Sequence, residues 1–270
     1  MLIAIISKLA KPKFLEVNFF DVGQGDAIFI ETPAKHQILI DGGPSSVILE
    51  KLGNEIPFYD KSIDLIILTH PDRDHLAGLI DVLEKYEVNN ILWTGIIKDI
   101  SEYREWINLL EEEEAEIYIA KSGQKIKSQK VQLDILFPFE NLNGQEFKNV
   151  NDTSIVARLG FNKTYFLLTG DISKSIERKF LEKEIDIDAN VLKIAHHGSK
   201  TSSSQEFLEK VSPQVAVISV GENNYGHPHS EVLEKLFFFD INTLITNLEG
   251  DIKIISDGKI LKYETAVSDF

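Results

Sequence analysis

Four apolar runs of strand length are each followed by histidine or aspartate: "IDLIILTH" at 63–70, "LLTGD" at 167–171, "LKIAHH" at 192–197, and the run at 215–220 that leads into "ENNYGHPHS". A continuous apolar run, with no polar alternation, is what a strand covered on both faces shows. Open α/β sheets build their sites at the carboxyl ends of such strands. Six of the seven histidines lie at or just after these runs. The pattern therefore predicts a layered fold whose strand ends converge on one polar site.

The rest of the chain fits around that frame. Apolar and polar residues alternate at period two over 15–20, 26–31 and 36–41, with glycine-rich turns between, which predicts an antiparallel meander. Helical periodicity follows at 47–52, 76–86, 103–110, 172–181, 205–211 and 231–237. Further strands are predicted at 91–93, 131–136, 154–159, 165–169, 191–194, 244–246, 252–255 and 260–263. No repeat, low-complexity tract or Pro/Gly/Ser-rich linker interrupts the series, so a single domain over 1–270 is expected. Mixed strands in two halves with interspersed helices predict an α/β protein with two packed sheets and helices outside; a three-layer α/β sheet is the other compatible arrangement.

Composition narrows the chemistry. The chain has no cysteine, so a disulfide, a thiolate-held zinc and a thiol nucleophile are excluded, and any metal must be held by His, Asp, Glu or neutral oxygen. A formal net charge of −15 argues against a surface that wraps nucleic acid broadly, because polyanion binding draws on Lys and Arg, but it allows a local track. The four lysines of "KSGQKIKSQK" (121–130), directly after the acidic run 111–114, are expected on a solvated hairpin. The apolar stretch at 2–6 is too short to span a bilayer and lacks a basic lead-in, so it is expected to be a first strand or a loose end of a soluble, cytoplasmic protein.

In "HPDRDH" (70–75), ligand-type side chains fall at His70, Asp72, Asp74 and His75. Imidazole nitrogen and carboxylate oxygen suit zinc, manganese or iron, and the set alone does not choose among them. Asp171, the pair His196 and His197, and the pair His227 and His229 join them as candidates. Asp26 and Asp41 sit in glycine-rich turns, where they either stabilise the turn or hydrogen-bond the metal ligands from behind. "GQGDAI" has Ile28 at the third glycine position of a dinucleotide fingerprint and leads into a strand, so no such cofactor is expected. "HGSK" lacks the Gly-x-Ser-x-Gly elbow of a serine nucleophile. "SKTSSS" (199–204) serves as a helix N-cap or as a phosphate contact.

"HPDRDH" resembles the His-x-His-x-Asp-His signature of the metallo-β-lactamase superfamily, with Asp72 in place of the second histidine. "FFDVGQGDAIFI" (19–30), "ILIDGG" (38–43), "THPDRDHLAG" (69–78), "NDTSIVARL" (151–159), "LLTGD" (167–171), "LKIAHHGS" (192–199) and "NYGHPH" (224–229) together closely resemble, in order, the hydrolase domain of the ComEC competence-protein family. That family carries the domain beside membrane-spanning segments, and none is read here; a role in DNA uptake therefore does not transfer with the resemblance. The resemblance implies an αββα sandwich, one or two divalent ions such as zinc or manganese, and hydrolase chemistry. It implies that His70 and Asp72 face one metal, that Asp74 and His75 face the other, and that Asp171 bridges them. A late ligand would come from either His196 or His197. The superfamily's third-motif histidine has no counterpart, since Asn151 and Ser154 of "NDTS" stand there.

The expected function is a metal-dependent phosphodiesterase or nuclease, in which bound cations lower the pKa of a water toward ~7. Asp74 or Asp171 would accept the water's proton. His229, His227, or whichever of His196 and His197 is not a ligand would protonate the leaving group. Asn151, Ser154, Ser199, Tyr225 and His227 are expected to contact a phosphodiester substrate, either single-stranded nucleic acid or a nucleotide, and no membrane partner is expected. The alternatives are a small phosphoester, thioester or β-lactam substrate and, in another class, a metal-stabilised interaction scaffold without catalysis.

Overall fold

The computed structural model describes residues 14–267, and the apolar stretch at 2–6 lies outside them. Strands β1 (Leu15–Phe19), β2 (Ile28–Glu31) and β3 (Gln37–Ile40) pair antiparallel in succession, the meander that their alternation predicts. Helical crossovers then begin. α1 (Val47–Glu55) leads to β4 (Ser62–Ile63) and β5 (Leu65–Leu68), and α2 (Arg73–Leu83) leads to β6 (Glu87–Val88) and β7 (Asn90–Trp93). α3 (Ser101–Glu112) leads to β8 (Glu116–Ile119). β3, β5, β7 and β8 run parallel, while β4 and β6 form a small ribbon of their own.

The second sheet opens with antiparallel β9 (Lys125–Ser128), β10 (Val131–Phe137), β11 (Val156–Phe161) and β12 (Thr164–Leu168). The lysine-rich segment is thus β9 and its flanking turns, a hairpin with β10. Three crossovers follow, through α4 (Lys174–Glu182) to β13 (Val191–Lys193), α5 (Gln205–Val211) to β14 (Val215–Ile218), and α6 (Ser230–Phe238) to β15 (Asn242–Ile245), all parallel to β12. After α7 (Thr246–Glu249), β16 (Ile252–Ser256) and β17 (Leu261–Thr265) return to the first sheet, where β16 pairs with β1. The sheet orders are β17-β16-β1-β2-β3-β5-β7-β8 and β15-β14-β13-β12-β11-β10-β9.

The side chains explain the layering. On β5, Leu65 and Ile67 point into the core between the sheets, beside Val17, Phe19, Leu133 and Leu159. Ile66 and Leu68 face the other way, under Leu52, Leu79 and Trp106 of α1, α2 and α3. The second sheet is covered likewise by Phe180, Phe207 and Leu236 of α4, α5 and α6. The architecture is the αββα sandwich. A strand with helices on one face and a sheet on the other buries every residue, which is why its sequence is an unbroken apolar run.

Local chemistry shifts a few boundaries. The strand expected from 154 begins at Val156, because Asn151–Thr153 forms a 3-10 turn in which Thr153 Oγ1 donates to Val150 O at 2.6 Å and Ser154 Oγ donates to Asn151 O at 2.7 Å. Thr246, expected in a strand, opens α7 instead. Among the described residues, no helix is long and apolar enough to cross a membrane.

Candidate metal centre

The parallel strands of both sheets end on one side, and the residues just beyond them supply the cluster. Asp41 follows β3 and turns the chain at a φ of 58°. Its Oδ1 accepts the Thr69 N–H at 2.8 Å, and its Oδ2 accepts the Thr69 hydroxyl at 2.7 Å and His75 Nδ1 at 2.8 Å. His75 reaches this position because α2 packs its first turns directly on the turn after β3. Gly42 N–H donates to His75 O at 2.8 Å and Gly78 N–H to Gly43 O at 2.9 Å. A Cβ on Gly78 would stand 2.0 Å from Gly42 O, so only glycine permits the contact.

Asp171 follows β12, its N–H held by Ser154 Oγ at 3.0 Å. His196 and His197 follow β13 in a tight turn, at φ values of 52° and 54°. Left-handed backbone at a non-glycine residue costs on the order of 1–3 kcal/mol, and it clusters at functional sites. The turn points the two rings apart. His197 is buried and donates from Nδ1 to Ser219 O at 2.8 Å, beyond β14.

Four donor atoms converge: Asp74 Oδ2, His75 Nε2, Asp171 Oδ2 and His197 Nε2. His197 Nε2 lies 3.4 Å from Asp74 Oδ2 and 3.3 Å from Asp171 Oδ2, and His75 Nε2 lies 3.4 Å from Asp171 Oδ2. Tetrahedral ligands about 2.0–2.1 Å from a zinc-sized ion stand roughly 3.3–3.4 Å from one another, which these three contacts match, and the donors fall in two overlapping groups, Asp74–His75–His197 and His70–His75–Asp171, each within 4.8 Å. His70 flanks the set, its ring 4.2 Å from that of His75. The Thr69 hydroxyl gives its proton to Asp41 and the Ser154 hydroxyl gives its proton to Asn151 O, so both can only accept from His70 Nδ1, at 3.1 and 3.2 Å. That leaves the lone pair on His70 Nε2. Nε2 of His70, His75 and His197 and Oδ1 of Asp171 are buried without a hydrogen-bond partner. Orphaned atoms of this kind cost about 1–3 kcal/mol each, and a shared cation would satisfy the inward-facing ones. The residues present fit a divalent metal.

The electrostatics agree. Burial disfavours charge on His75 and His197, yet the Asp171 carboxylate, with Asp41 beside His75 and with Asp26 and Asp74 beside His197, holds both well above the ordinary imidazole range. Burial likewise opposes ionisation of Asp171 and Asp74, but His197 and His75 outweigh it and hold both carboxyls below their usual range. For His70, burial and the charge of His75 push the pKa down to about 4, so it stays a neutral donor. A cation at this point takes the place of the imidazole protons.

Two lysines here were not anticipated. Lys193, at the end of β13, is fully buried and forms an ion pair with Asp26, lies 3.6 Å from Asp171 Oδ1 and donates to Gly170 O at 3.3 Å. Burial opposes its charge, but Asp26 and Asp171 raise its pKa above the ordinary value. Its signal in the sequence is a lone lysine inside the apolar run "VLKIA". Lys98 forms an ion pair with Asp72, and no sequence pattern marks it.

Other expected residues stand apart from the four-donor set. Asp72 Oδ2 lies 3.7 Å from His70 Nε2. Asp26 Oδ1 lies 3.5 Å from His197 Nδ1, behind the ring. His196 turns away: its Nε2 meets Asn151 Nδ2 at 3.3 Å and its Nδ1 meets Thr201 Oγ1 at 3.3 Å, so its lone pair is spent. Ser154 is buried beneath His70 and Asp171, and Ser199 is buried against Thr201 Oγ1 at 2.9 Å. Contrary to expectation, both hydroxyls shape loops rather than line a substrate surface. The His227 ring sits edge-on to His196 at 5.4 Å, with the exposed Tyr225 ring 5.8 Å from it. His229 Nδ1 caps α6 by accepting the Glu231 N–H at 3.3 Å.

Comparison with known proteins bears on the family and the fold. A profile of the metallo-beta-lactamase superfamily matches residues 20–222. The chain is 32% identical to ComE operon protein 3 of Bacillus subtilis (strain 168) over 88% of its own length and 32% of that protein's. It is 31% identical to Recombination protein 2 of Haemophilus influenzae, over 93% of this chain and 30% of that protein. It thus spans about a third of the length of these relatives. Among solved structures, the metallo-beta-lactamase fold protein YhfI from Bacillus subtilis superposes with a TM-score of 0.62 at 12% identity, covering 90% of this chain and all of that one. A profile match over most of the chain, a relative at this identity and the αββα architecture lead to one conclusion: the chain belongs to the metallo-beta-lactamase superfamily.

Proposed function

We propose that this chain is a metal-dependent phosphodiesterase acting on a nucleic acid or nucleotide substrate. The observation that carries the reading is the gathering of donors, most of them buried, in two overlapping groups, His70–His75–Asp171 and Asp74–His75–His197, joined by the 3.3 Å contact of His197 Nε2 with Asp171 Oδ2. When bound, a divalent cation supplies Lewis acidity that makes a water lose its proton near pH ~7.

The protein's residues do the rest. Asp41 and the Ser219 carbonyl hold the protons of His75 and His197 on Nδ1, so both rings present Nε2 to the centre. Asp171 is almost fully buried, whereas the Asp74 side chain is 34% exposed, so Asp74 is the carboxylate that meets solvent and accepts the proton of the attacking water. His229 accepts at Nδ1 in its capping contact and therefore carries its proton on Nε2, from which it donates a hydrogen bond to the leaving oxygen. His227, pushed down to about 4 by burial and by its neighbour His196, is neutral at pH 7 and orients substrate rather than acting as an acid. Asn151 and Tyr225 contact the substrate beside it. The names of the relatives, a recombination protein among them, favour nucleic acid as the source of the phosphodiester.

Turnover of single-stranded DNA, a cyclic dinucleotide and an acyl thioester by the metal-loaded protein tests the reading. Cleavage of either phosphodiester above the thioester is expected; preferential thioester cleavage would overturn it.

A further inference from the structure

β8 and β9 are free edges of their two sheets, and they lie on the same side of the sandwich. β8 bonds to β7 through its even-numbered residues, with Glu116 N–H on Asn89 O and Ala120 N–H on Trp93 O, so the amide and carbonyl of Ile117 point outward. β9 bonds to β10 in the same alternating way: Ile135 N–H donates to Gln124 O, and Ile126 and Ser128 continue that row. The backbone groups of Lys125 and Lys127 therefore point outward too. Between the two edges the sheets part around an open cavity of about 600 Å³, floored by Ile38, Leu65, Leu92 and Ile126 and lined also by Tyr118. On β8, Ile117 and Tyr118 are exposed. An exposed apolar edge is a template for a further strand.

The two edges fit each other. β8 runs toward the metal centre and β9 away from it, because three antiparallel pairings separate β9 from β12. A two-fold axis along the strands, midway between the sheets, keeps each strand's direction and exchanges the two layers. We propose that two copies of this chain associate about such an axis, β8 of each adding antiparallel to β9 of the other. In the register that sets Ile117 against the partner's Lys127, outward backbone groups meet outward backbone groups. Tyr118 then meets the partner's Ile126, and Glu114 comes opposite the partner's Lys130. The faces agree: Ala120 and Ile126 both pack into the core between the sheets, and Tyr118, two residues before Ala120, shares that face. The charges agree as well. The lysines of β9 repel a second β9 but attract β8, whose lead-in carries Glu111 to Glu114 and Glu116. Among the described residues, neither Lys127 nor Lys130 forms an ion pair within the chain.

Sedimentation velocity of the full chain, from low micromolar to sub-millimolar concentration, is the first test. A monomer–dimer equilibrium is expected; a monomer throughout, or growth past the dimer, would overturn the proposal. Lys127→Pro removes an N–H that the monomer does not use, at the kind of edge position where proline is accepted. With two donors lost per dimer, the folded variant should associate at least ~10-fold more weakly than wild type. Undiminished association would refute the pairing. Hydrogen exchange on the wild type needs no variant and decides the matter should Lys127→Pro fail to fold. The amides of Ile117 and Lys127 should exchange fast in dilute protein and slowly once the dimer forms. Fast exchange at both positions in a protein that has dimerised would put the contact elsewhere and sink the assignment.

Discussion

Each imidazole of the centre is oriented by the atom behind it, and that atom is where a single substitution acts most cleanly. Asp41→Asn removes the charge that keeps the His75 proton on Nδ1 while keeping the side chain's shape. Loss of such a partner typically costs about 10–100-fold in metal affinity. A chelator-competition titration should show that weakening, and unchanged affinity would remove Asp41 from its supporting role. The metal-free chain carries a pH signature as well. His75 and His197 are held above the unfolded imidazole value of about 6.5 by Asp171 and its neighbours. Their charged forms therefore stabilise the fold fully below that value, and the contribution is lost as pH rises through the folded values. The Tm of chelator-treated protein is expected to fall as pH rises above about 6.5; a flat or rising Tm would contradict the assignment. At this scale the sequence was partly legible. "HPDRDH" and the histidine-ended strands could be read because ligand residues are dense there. The choice between His196 and His197 could not, since it depends on two successive left-handed residues that no side-chain pattern announces. Lys98 was invisible because an exposed-type residue in a loop carries no periodicity.

Among the elements, α2 does the most to position the site. Its Gly78 lies on the carbonyl of Gly42, which fixes both the height of His75 and the entry of Asp74. Gly78→Ala must push two backbones apart, and overpacking of this kind costs about 1–3 kcal/mol. Gly53, inside α1 with open space where a Cβ would stand, is the matched control; its alanine should be neutral or stabilising by up to about 1 kcal/mol. Urea unfolding of the two variants separates these outcomes, and equal stability would show that the α2 contact is looser than described. Elements with strong periodicity, such as β1, β10 and α2, were legible because alternation or a helical stripe records which face is buried. β8 was not: it is an edge strand whose Ile117 and Tyr118 remain exposed, so burial leaves no trace in its pattern.

At the scale of the molecule, each sheet contributes two donors to one centre. Asp74 and His75 come from the first sheet's helical crossover, while Asp171 and His197 follow strands of the second. A cation held by all four would tie the halves together, and the apolar core between the sheets sets the spacing at which it can do so. The layered architecture was legible because each doubly covered strand is an unbroken apolar run, but the meeting of the two sheets' strand ends was inferred only from the histidines that follow them. The most direct test of the central claim is hydrolysis of bis(4-nitrophenyl) phosphate by metal-stripped protein before and after manganese or zinc is restored, beside Asp171→Ala. The account predicts turnover that returns with metal and is lost by orders of magnitude in the variant. No turnover in a wild-type chain that has demonstrably taken up metal, or equal turnover in Asp171→Ala, would contradict it.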